Sequence, residues 1–111
     1  TTMTVGGRTY DILGFLEGDE KSVVGHTMVT RATNMEANLG QEDGEHLLKY
    51  QSDIPVALQG KVIFVFSGWR RPESSEGVAC VCWGGDRWVQ IWGWLGIDFG
   101  ASDRVLRRKS A

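Results

Sequence analysis

Four of the five tryptophans in this chain lie within one twelve-residue segment, at Trp83, Trp88, Trp92 and Trp94. The last three are separated by even numbers of residues, and alternate residues of a β-strand project to the same face. Three tryptophans on one strand face carry roughly 450–750 Å² of apolar surface, as much as the largest exposed patch on a typical soluble monomer or more. That face must therefore be covered by the core, by another chain or by a ligand.

The turn before this strand decides which residues accompany the tryptophans. A second β-rich segment, residues 78–83, is joined to the strand 87–95 by the short link 84–86. A two-residue turn, at either Gly84-Gly85 or Gly85-Asp86, puts Trp83 on the same face as Trp88, Gln90 and Trp92, whereas a three-residue loop reverses the partnership of the faces. We favour the two-residue turn, because it gives one aromatic face and one face of cysteines and aliphatic side chains.

Length and charge bound the class of protein. A chain of 111 residues with 41% hydrophobic and 23% charged residues is typical of a globular protein with one core, so we expect a single α+β domain over residues 1–111. The net charge of −2 argues against a nucleic-acid partner. The sequence has neither an apolar run of about 18 residues nor the pattern of a signal peptide, so we expect a cytoplasmic protein without a membrane partner.

The residue pattern predicts two helices between a first strand and a β-rich second half. We expect a strand over 8–16, a helix over 24–39 capped by Gly40, a second helix from an acidic first turn near Glu42 to Pro55, and strands from residue 61 onward. The basic segment 104–109 is predicted to be a short, solvated edge strand.

These elements predict an α+β fold with an antiparallel sheet of about four to five strands. Their order is strand-helix-helix-strand-strand-strand-strand, with the two helices packed on one face. We expect the face of cysteines and aliphatic side chains to be the one that the helices cover.

Signatures of common catalytic sites are absent from the sequence, which has no phosphate-binding glycine loop, GxSxG elbow or HExxH motif. The two cysteines and two histidines offer four zinc ligands, but zinc cysteines usually lie on a turn with wider spacing. We interpret the thiols as buried, reduced core residues, and we predict no metal and no cofactor. A small enzyme remains an alternative class, and it would have to gather at least two of His26, His46, Cys82, Asp98 and Asp103.

The tryptophan face is the strongest candidate for a binding surface. Gln90 lies between Trp88 and Trp92 on this face, and a buried, unpaired amide would be costly, which indicates a partly hydrated surface. Indole rings beside an amide and neighbouring arginines are suited to stacking on a ligand. The predicted binding residues are Trp83, Trp88, Gln90, Trp92, Trp94, Arg70, Arg71 and Arg87.

The partner of that surface is left open between a small ligand and a protein. The competing interpretations are that the tryptophans form the main core or the seam of a symmetric homodimer. The preferred function is a non-catalytic binding or interaction module, with a self-associating structural protein as the alternative.

Three segments resemble short bacterial proteins of unknown function, some of them carried on mobile integron gene cassettes. The likeness rests on Gly60-Lys61 leading into Ser67-Gly68-Trp69-Arg70, on Arg87-Trp88-Val89-Gln90-x-Trp92-x-Trp94-Leu95, and on Asp103-Arg104-x-x-Arg107-Arg108. The resemblance implies a compact bacterial protein. It assigns no activity and no functional residue.

Overall fold

The fold combines strands and helices in the α+β manner that the sequence predicts. The structure, a computed structural model, describes residues 1–109. Its elements are β1 (Thr2–Val5), β2 (Arg8–Leu13), β3 (Ser22–Val24), α1 (Gly25–Asn34), α2 (Gln41–Lys49), β4 (Ile63–Arg71), β5 (Ser74–Trp83), β6 (Trp88–Trp94), β7 (Asp98–Gly100) and β8 (Asp103–Arg108). Two short 3₁₀ helices, Gln51–Asp53 and Val56–Leu58, connect α2 to β4.

The main sheet has six strands in the order β1-β2-β8-β4-β5-β6. All neighbouring strands are antiparallel except β4 and β8, which run parallel. Strands β3 and β7 form a separate two-stranded ribbon. The predicted antiparallel sheet of four to five strands is therefore wrong in strand number and in one pairing, and the predicted order lacks β1, β3 and β7.

The two helices lie on opposite faces of the sheet, so the prediction that both pack on one face is wrong. Leu47 of α2 joins a core that includes Phe64 and Phe66 of β4. Met28 of α1 joins the other core, with Val65 of β4. Because β4 is apolar on both faces, each face needs its own covering layer. Among the described residues, no helix has the length and apolarity needed to cross a membrane.

The basic C-terminal segment forms an interior strand, which corrects its predicted place at an edge. Strand β8 pairs with β2 on one side and with β4 on the other. Val105 and Leu106 point to opposite faces, and both are buried. Arg107 and Arg108 are tolerated here because their guanidinium groups reach the carboxylates of Asp11 and Asp43. The two edges of the sheet are instead β1 and β6.

Helix α1 ends at Asn34, five residues before the predicted end. The Ala37 N–H donates to the Ala32 carbonyl at 2.8 Å, and the Glu36 N–H donates to the Thr33 carbonyl at 3.1 Å. These bonds form a Schellman motif, with Glu36 at φ 58° in the left-handed position that usually holds glycine. Gly40, predicted to cap this helix, is instead the N-cap of α2.

The predicted two-residue turn of the last hairpin and the predicted assignment of its residues to faces are confirmed. Trp83 lies opposite Trp88, and the register continues without a shift to Gly77 opposite Trp94. The Gly84 N–H donates to the Arg87 carbonyl at 2.7 Å, which leaves Gly85 and Asp86 as a two-residue turn. Gly85 has a φ of +101°, as the first central position of a type II′ turn requires.

Candidate functional site

The tryptophan face of β6 divides into a buried end and an open end. At the buried end, Trp88 is only 1% exposed. Its ring lies 5.8 Å from that of Trp83 and 5.5 Å from that of Phe64, measured between centroids. The residues of α2 and the following turn pack over this group, with Leu47 and Ile54 in the same core. Trp88 is therefore a core residue, and no ligand can stack on it.

Trp92 and Trp94 form the open end of the face. The edge of the Trp92 ring meets Trp69, with centroids 6.0 Å apart and an interplanar angle of 79°. Trp69 in turn lies against α2 at Gly44, where an added Cβ would come within 2.5 Å of the indole. Trp94 is 50% exposed. The helix thus supports Trp92 through Trp69 and leaves Trp94 uncovered.

A cleft of about 260 Å³ adjoins these two tryptophans. Arg71 closes one side of it and forms an ion pair with Glu73 at 3.5 Å, in which both side chains are at least half exposed. The remaining lining residues are Ser74, Gly77 and Gly93. The cleft therefore offers two aromatic surfaces beside a cation that solvent can reach.

The other predicted polar residues have separate surroundings. Arg70 donates to the carbonyls of Ser67 at 2.7 Å and Ser75 at 2.8 Å, so it holds the irregular end of the β4–β5 hairpin. Arg87 is exposed in the hairpin turn. Gln90 lies between Trp88 and Trp92, as predicted, and its amide donates to the Ile91 carbonyl of its own strand at 2.6 Å. Of the predicted arginines, the structure brings only Arg71 to the open tryptophans.

Strand β6 exposes main-chain hydrogen-bonding groups along its outer side. In an antiparallel pair of strands, residues whose N–H and C=O groups bond the neighbouring strand alternate with residues whose N–H and C=O groups point away from it. Since the Gly84 N–H bonds the Arg87 carbonyl, the outward residues of β6 are Trp88, Gln90, Trp92 and Trp94. The side chain of Gln51 forms hydrogen bonds with the main-chain N–H and C=O of Trp88. The open part of the edge is therefore residues 90–94.

Apart from the Gln51 side chain at Trp88, the edge of β6 lacks the sequence features that usually protect such strands. Natural edge strands commonly carry charges, proline or bulges that prevent pairing with another chain. The segment Trp88–Trp94 contains no charged residue and no proline, and its pairing with β5 has no bulge. Ile91 on the opposite face of β6 is 44% exposed.

The histidines and cysteines that the zinc site and the small-enzyme alternative require lie apart. His26 donates to Glu76 at 2.8 Å, and His46 donates to the Val5 carbonyl at 2.8 Å. His46 belongs to the helix on the tryptophan face, whereas Cys80 and Cys82 point to the other face. Within residues 1–109, no three metal-ligating side chains are grouped.

Neither cysteine has the environment of a nucleophile. Burial, with smaller contributions from Asp103 and Cys82, raises the pKa of Cys80 to about 12. Burial also raises the pKa of Cys82 above its ordinary value. Because the thiolate is the reactive form, both cysteines are held in the unreactive state at neutral pH.

The two aspartates near the C-terminus stabilise local structure. Asp103 accepts a hydrogen bond from the Gly100 N–H at 2.8 Å and so caps the turn between β7 and β8. Asp98 accepts from the Ser22 hydroxyl at 3.0 Å, which joins β7 to β3. Burial is the main cause that raises the pKa of Asp103. The carboxylates of Asp98 and Asp103 thus bond different partners in different strands.

A buried carboxylate, Asp43, is a feature that the sequence did not identify. It is 5% exposed and accepts from the Tyr10 hydroxyl at 2.6 Å, from Arg108 at 2.9 Å and from Arg8 at 3.2 Å. Burial acts to raise the pKa of Asp43. The hydrogen bonds from Arg108 and Tyr10 and the two positive charges outweigh that effect and lower it.

Asp43 also lines a groove of about 640 Å³ in volume. The other charged lining residues are Asp11, Glu36, Arg107, Arg108 and Lys109. The acidic and basic side chains are equal in number, and Arg107 and Arg108 are paired with Asp11 and Asp43. These two ion pairs join β8 to β2 and to α2.

Comparisons with protein-family models, with curated proteins and with solved structures found no match for this chain. The function must therefore be argued from the geometry of β6 and its surroundings.

Proposed function

We propose that this chain is a non-catalytic interaction module that binds an extended polypeptide segment. The segment adds as a further strand at the open part of β6, residues 90–94. The observation that carries the proposal is the conjunction of an unprotected sheet edge with the cleft of Arg71, Trp92 and Trp94. Strand addition is an established mode of peptide recognition, in which main-chain bonds supply affinity and pockets supply specificity.

The main-chain contribution comes from Gln90, Trp92 and Trp94. Their N–H and C=O groups point away from β5, because these residues occupy the outward positions of the ladder. A polypeptide in the extended conformation presents the matching groups at the same spacing. A small aromatic or sugar ligand would leave these groups to water, so the edge favours a polypeptide partner.

The cleft supplies side-chain selectivity. Alternate side chains of an added strand project to the tryptophan face, and one of them reaches the cleft between Trp92 and Trp94. An apolar side chain there removes exposed indole surface from water. Arg71, whose ion pair with Glu73 is solvent-exposed, can exchange that partner for an acidic residue of the bound segment.

The proposal of a non-catalytic role rests on the dispersion of the reactive side chains. His26, His46 and Cys82 belong to different elements, and the two histidines bond different partners. Asp43, the most buried carboxylate, has donors on Tyr10 and two arginines. These arrangements stabilise the fold and do not converge on a cavity that also contains a nucleophile and a base.

The test is selection of random heptapeptides displayed on phage, with the full chain as bait at about 10 µM, followed by NMR titration of a synthetic selected peptide. We expect the amide resonances of Gln90, Trp92 and Trp94 to shift. We expect Trp94→Ala to weaken peptide binding at least about tenfold, because an aromatic anchor at a contact is commonly worth that much. Val56→Ala is the matched control, since Val56 is 75% exposed and lies outside β6.

Two outcomes would overturn the proposal. One is selection of peptides that shift only amides remote from β6, such as those of the opposite edge strand β1. The other is that a small molecule, from a panel of sugars and quaternary ammonium compounds, shifts the indole resonances of Trp92 and Trp94. In that outcome the main-chain amide resonances of Gln90, Trp92 and Trp94 do not shift. The second outcome would replace strand addition by stacking of a small ligand.

A further inference from the structure

We infer that the strand added to β6 is β6 of a second copy of this chain, running antiparallel with Trp92 of one copy opposite Trp92 of the other. This inference rests on the proposed function, because it names the occupant of the same edge. Its product is a symmetric dimer in which two six-stranded sheets join into one. The register, the side chains and the charge of β6 all suit this pairing.

The open part of the edge is symmetric about Trp92. The outward residues left without a strand partner are Gln90, Trp92 and Trp94, since the side chain of Gln51 occupies the outward groups of Trp88. Beyond Trp94 the chain turns, and the Ile97 N–H donates to the Trp94 carbonyl at 3.3 Å. The usable segment is therefore bounded on both sides, with Trp92 at its centre.

Only one antiparallel register uses this whole segment in both copies. It places Trp92 opposite Trp92 and Gln90 opposite Trp94, and each of these pairs exchanges two main-chain hydrogen bonds. The Trp94 carbonyl accepts the Gln90 N–H of the other copy on its second lone pair, beside the Ile97 N–H that already bonds it at 3.3 Å. A shift by two residues in one direction sets Trp94 of one copy against Trp88 of the other, whose main-chain groups Gln51 already occupies. A shift by two residues in the other direction sets Gln90 of one copy against a position beyond the turn of the other copy. Both copies then leave donors and acceptors unpaired.

The side chains of the two copies are complementary in this register. On the face of the cysteines, Ile91 of one copy lies opposite Gly93 of the other. Gly93 cannot carry a side chain easily, because an added Cβ would lie 3.2 Å from the Cys80 sulfur and 3.4 Å from the Phe99 ring. The partly exposed side chain of Ile91 in the second copy covers the main chain at Gly93, where no side chain projects.

On the tryptophan face, Trp94 of one copy lies opposite Gln90 of the other. Trp94 is 50% exposed in the single chain, and contact with the Gln90 stem removes part of that indole from water. Because β6 carries no charge from Trp88 to Trp94, pairing two copies sets no like charges against each other. A strand edge with these properties accepts its own sequence without an electrostatic cost.

The dimer is expected to be weak. One strand edge with a few side chains is smaller than the roughly 800 Å² per partner of a standard stable interface. We therefore expect dissociation constants of roughly 10 µM to 1 mM, in the range of small, transient interfaces.

Sedimentation of the full chain over that concentration range tests the association. The expected weight-average mass rises from that of a monomer, 12.3 kDa, toward twice that value. Ile91→Lys places a charge on the edge and is expected to keep the chain monomeric throughout. Val56→Lys, at an exposed site outside β6, is the control and should associate like the unaltered chain.

A variant that removes a main-chain donor distinguishes strand pairing between the two copies from an association that depends only on apolar side chains. Gln90→Pro removes an outward N–H and leaves the ladder to β5 intact, because residue 90 does not donate to β5. We expect it to weaken dimerisation at least about tenfold, because each copy loses one hydrogen bond and gains a steric block. Near-ultraviolet circular dichroism establishes that the variant is folded.

Disulfide trapping tests the register. Gln90→Cys and Trp94→Cys, mixed under mild oxidation, should form a heterodimer, since paired residues in a ladder lie about 5.5 Å apart at Cα. Gln90→Cys alone should not crosslink through residue 90, because two copies of that residue are then separated by four positions along the strand. Crosslinking of Gln90→Cys with itself in preference to the mixture would overturn the register.

The two proposals fail in different ways. A chain that stays monomeric to 1 mM, roughly the upper limit of the expected range, while selected peptides still shift the amides of residues 90–94, overturns the dimer and leaves the proposed function standing. A dimer whose mass is unaffected by both Ile91→Lys and Gln90→Pro overturns the inferred interface. Absence of both peptide binding and self-association at β6 overturns both.

Discussion

The side-chain amide of Gln51 makes the two hydrogen bonds to Trp88 that a neighbouring strand would otherwise make. Its Oε1 accepts from the Trp88 N–H at 2.7 Å, and its Nε2 donates to the Trp88 carbonyl at 3.2 Å. The same Nε2 donates to the Leu48 carbonyl at 3.0 Å, which fixes the amide to the end of α2. One side chain thus closes the first residue of β6 and leaves the edge open from Gln90 onward.

Replacing Gln51 by alanine should destabilise the fold. Trp88 loses a main-chain donor and acceptor partner at a buried site, and we expect the free energy of unfolding in urea to fall by about 1–2 kcal/mol. Gln51→Glu keeps the acceptor and loses the donor, so its loss should be intermediate. Gln41→Ala, at an exposed side chain whose contact with Glu45 is 3.4 Å, should change stability by less than about 0.5 kcal/mol. Equal losses for Gln41 and Gln51 would contradict the role of the amide.

The β5–β6 hairpin could be predicted in detail because its determinants are local. The turn around Gly85 sets the register, and side-chain alternation then assigns each residue to a face. The division of that face into a buried and an open end could not be predicted. It depends on where α2 and the residues after it lie, and no periodicity in the sequence marks Gln51 as the group that closes the edge.

The place of β8 could not be predicted because its partners are remote in sequence. Asp11 and Arg107, which pair across β2 and β8, are ninety-six residues apart. A short segment ending in arginines is typical of a solvated edge when it is considered alone. The carboxylates of Asp11, Glu42 and Asp43 make an interior position tolerable, and their nearness follows from the tertiary arrangement of β2, α2 and β8.

Glycine substitutions at Glu36, which follows α1, and at Glu45, within α2, should change the free energy of unfolding in opposite directions. Glu36 adopts a φ of 58° in the left-handed region, which costs a residue with a Cβ about 1 kcal/mol. We therefore expect Glu36→Gly to raise the free energy of unfolding by about 0.5–1 kcal/mol. Glu45→Gly, within α2, should lower it by about 1 kcal/mol through loss of helix propensity. A loss of stability in Glu36→Gly would contradict the importance of that backbone strain.

Asp43 should make stability depend on acid pH. Its pKa is lower in the folded chain than in the unfolded chain, so its contribution is present above the unfolded pKa of about 3.9 and is lost as pH falls through the folded pKa. The groups that face it are Tyr10, Arg8 and Arg108. Glu20, whose pKa the hydrogen bond from Arg31 lowers to about 2, acts in the same direction.

Urea unfolding between pH 2 and pH 7 checks this dependence. Asp43→Asn should lose about 1–3 kcal/mol at pH 7, because hydrogen bonds to charged groups are lost at a buried site. The variant should also show a shallower decline in acid than the unaltered chain. Asp19→Asn, at an exposed loop position, is the control and should preserve the decline. An unchanged slope in Asp43→Asn would assign the acid dependence to other carboxylates.

Trp88 and Trp94 should respond to the same substitution in different ways, although they share one face of β6. Trp88→Ala removes a buried ring that contacts Phe64 and Trp83, and we expect a loss of about 3–5 kcal/mol in the free energy of unfolding. Trp94→Ala removes a ring that is 50% exposed, so the loss should be below about 1 kcal/mol. Trp94→Ala should instead weaken association at β6, measured by sedimentation of the folded variant. If both substitutions destabilise the chain equally, Trp94 belongs to the core, and the cleft beside Arg71 is not a binding surface.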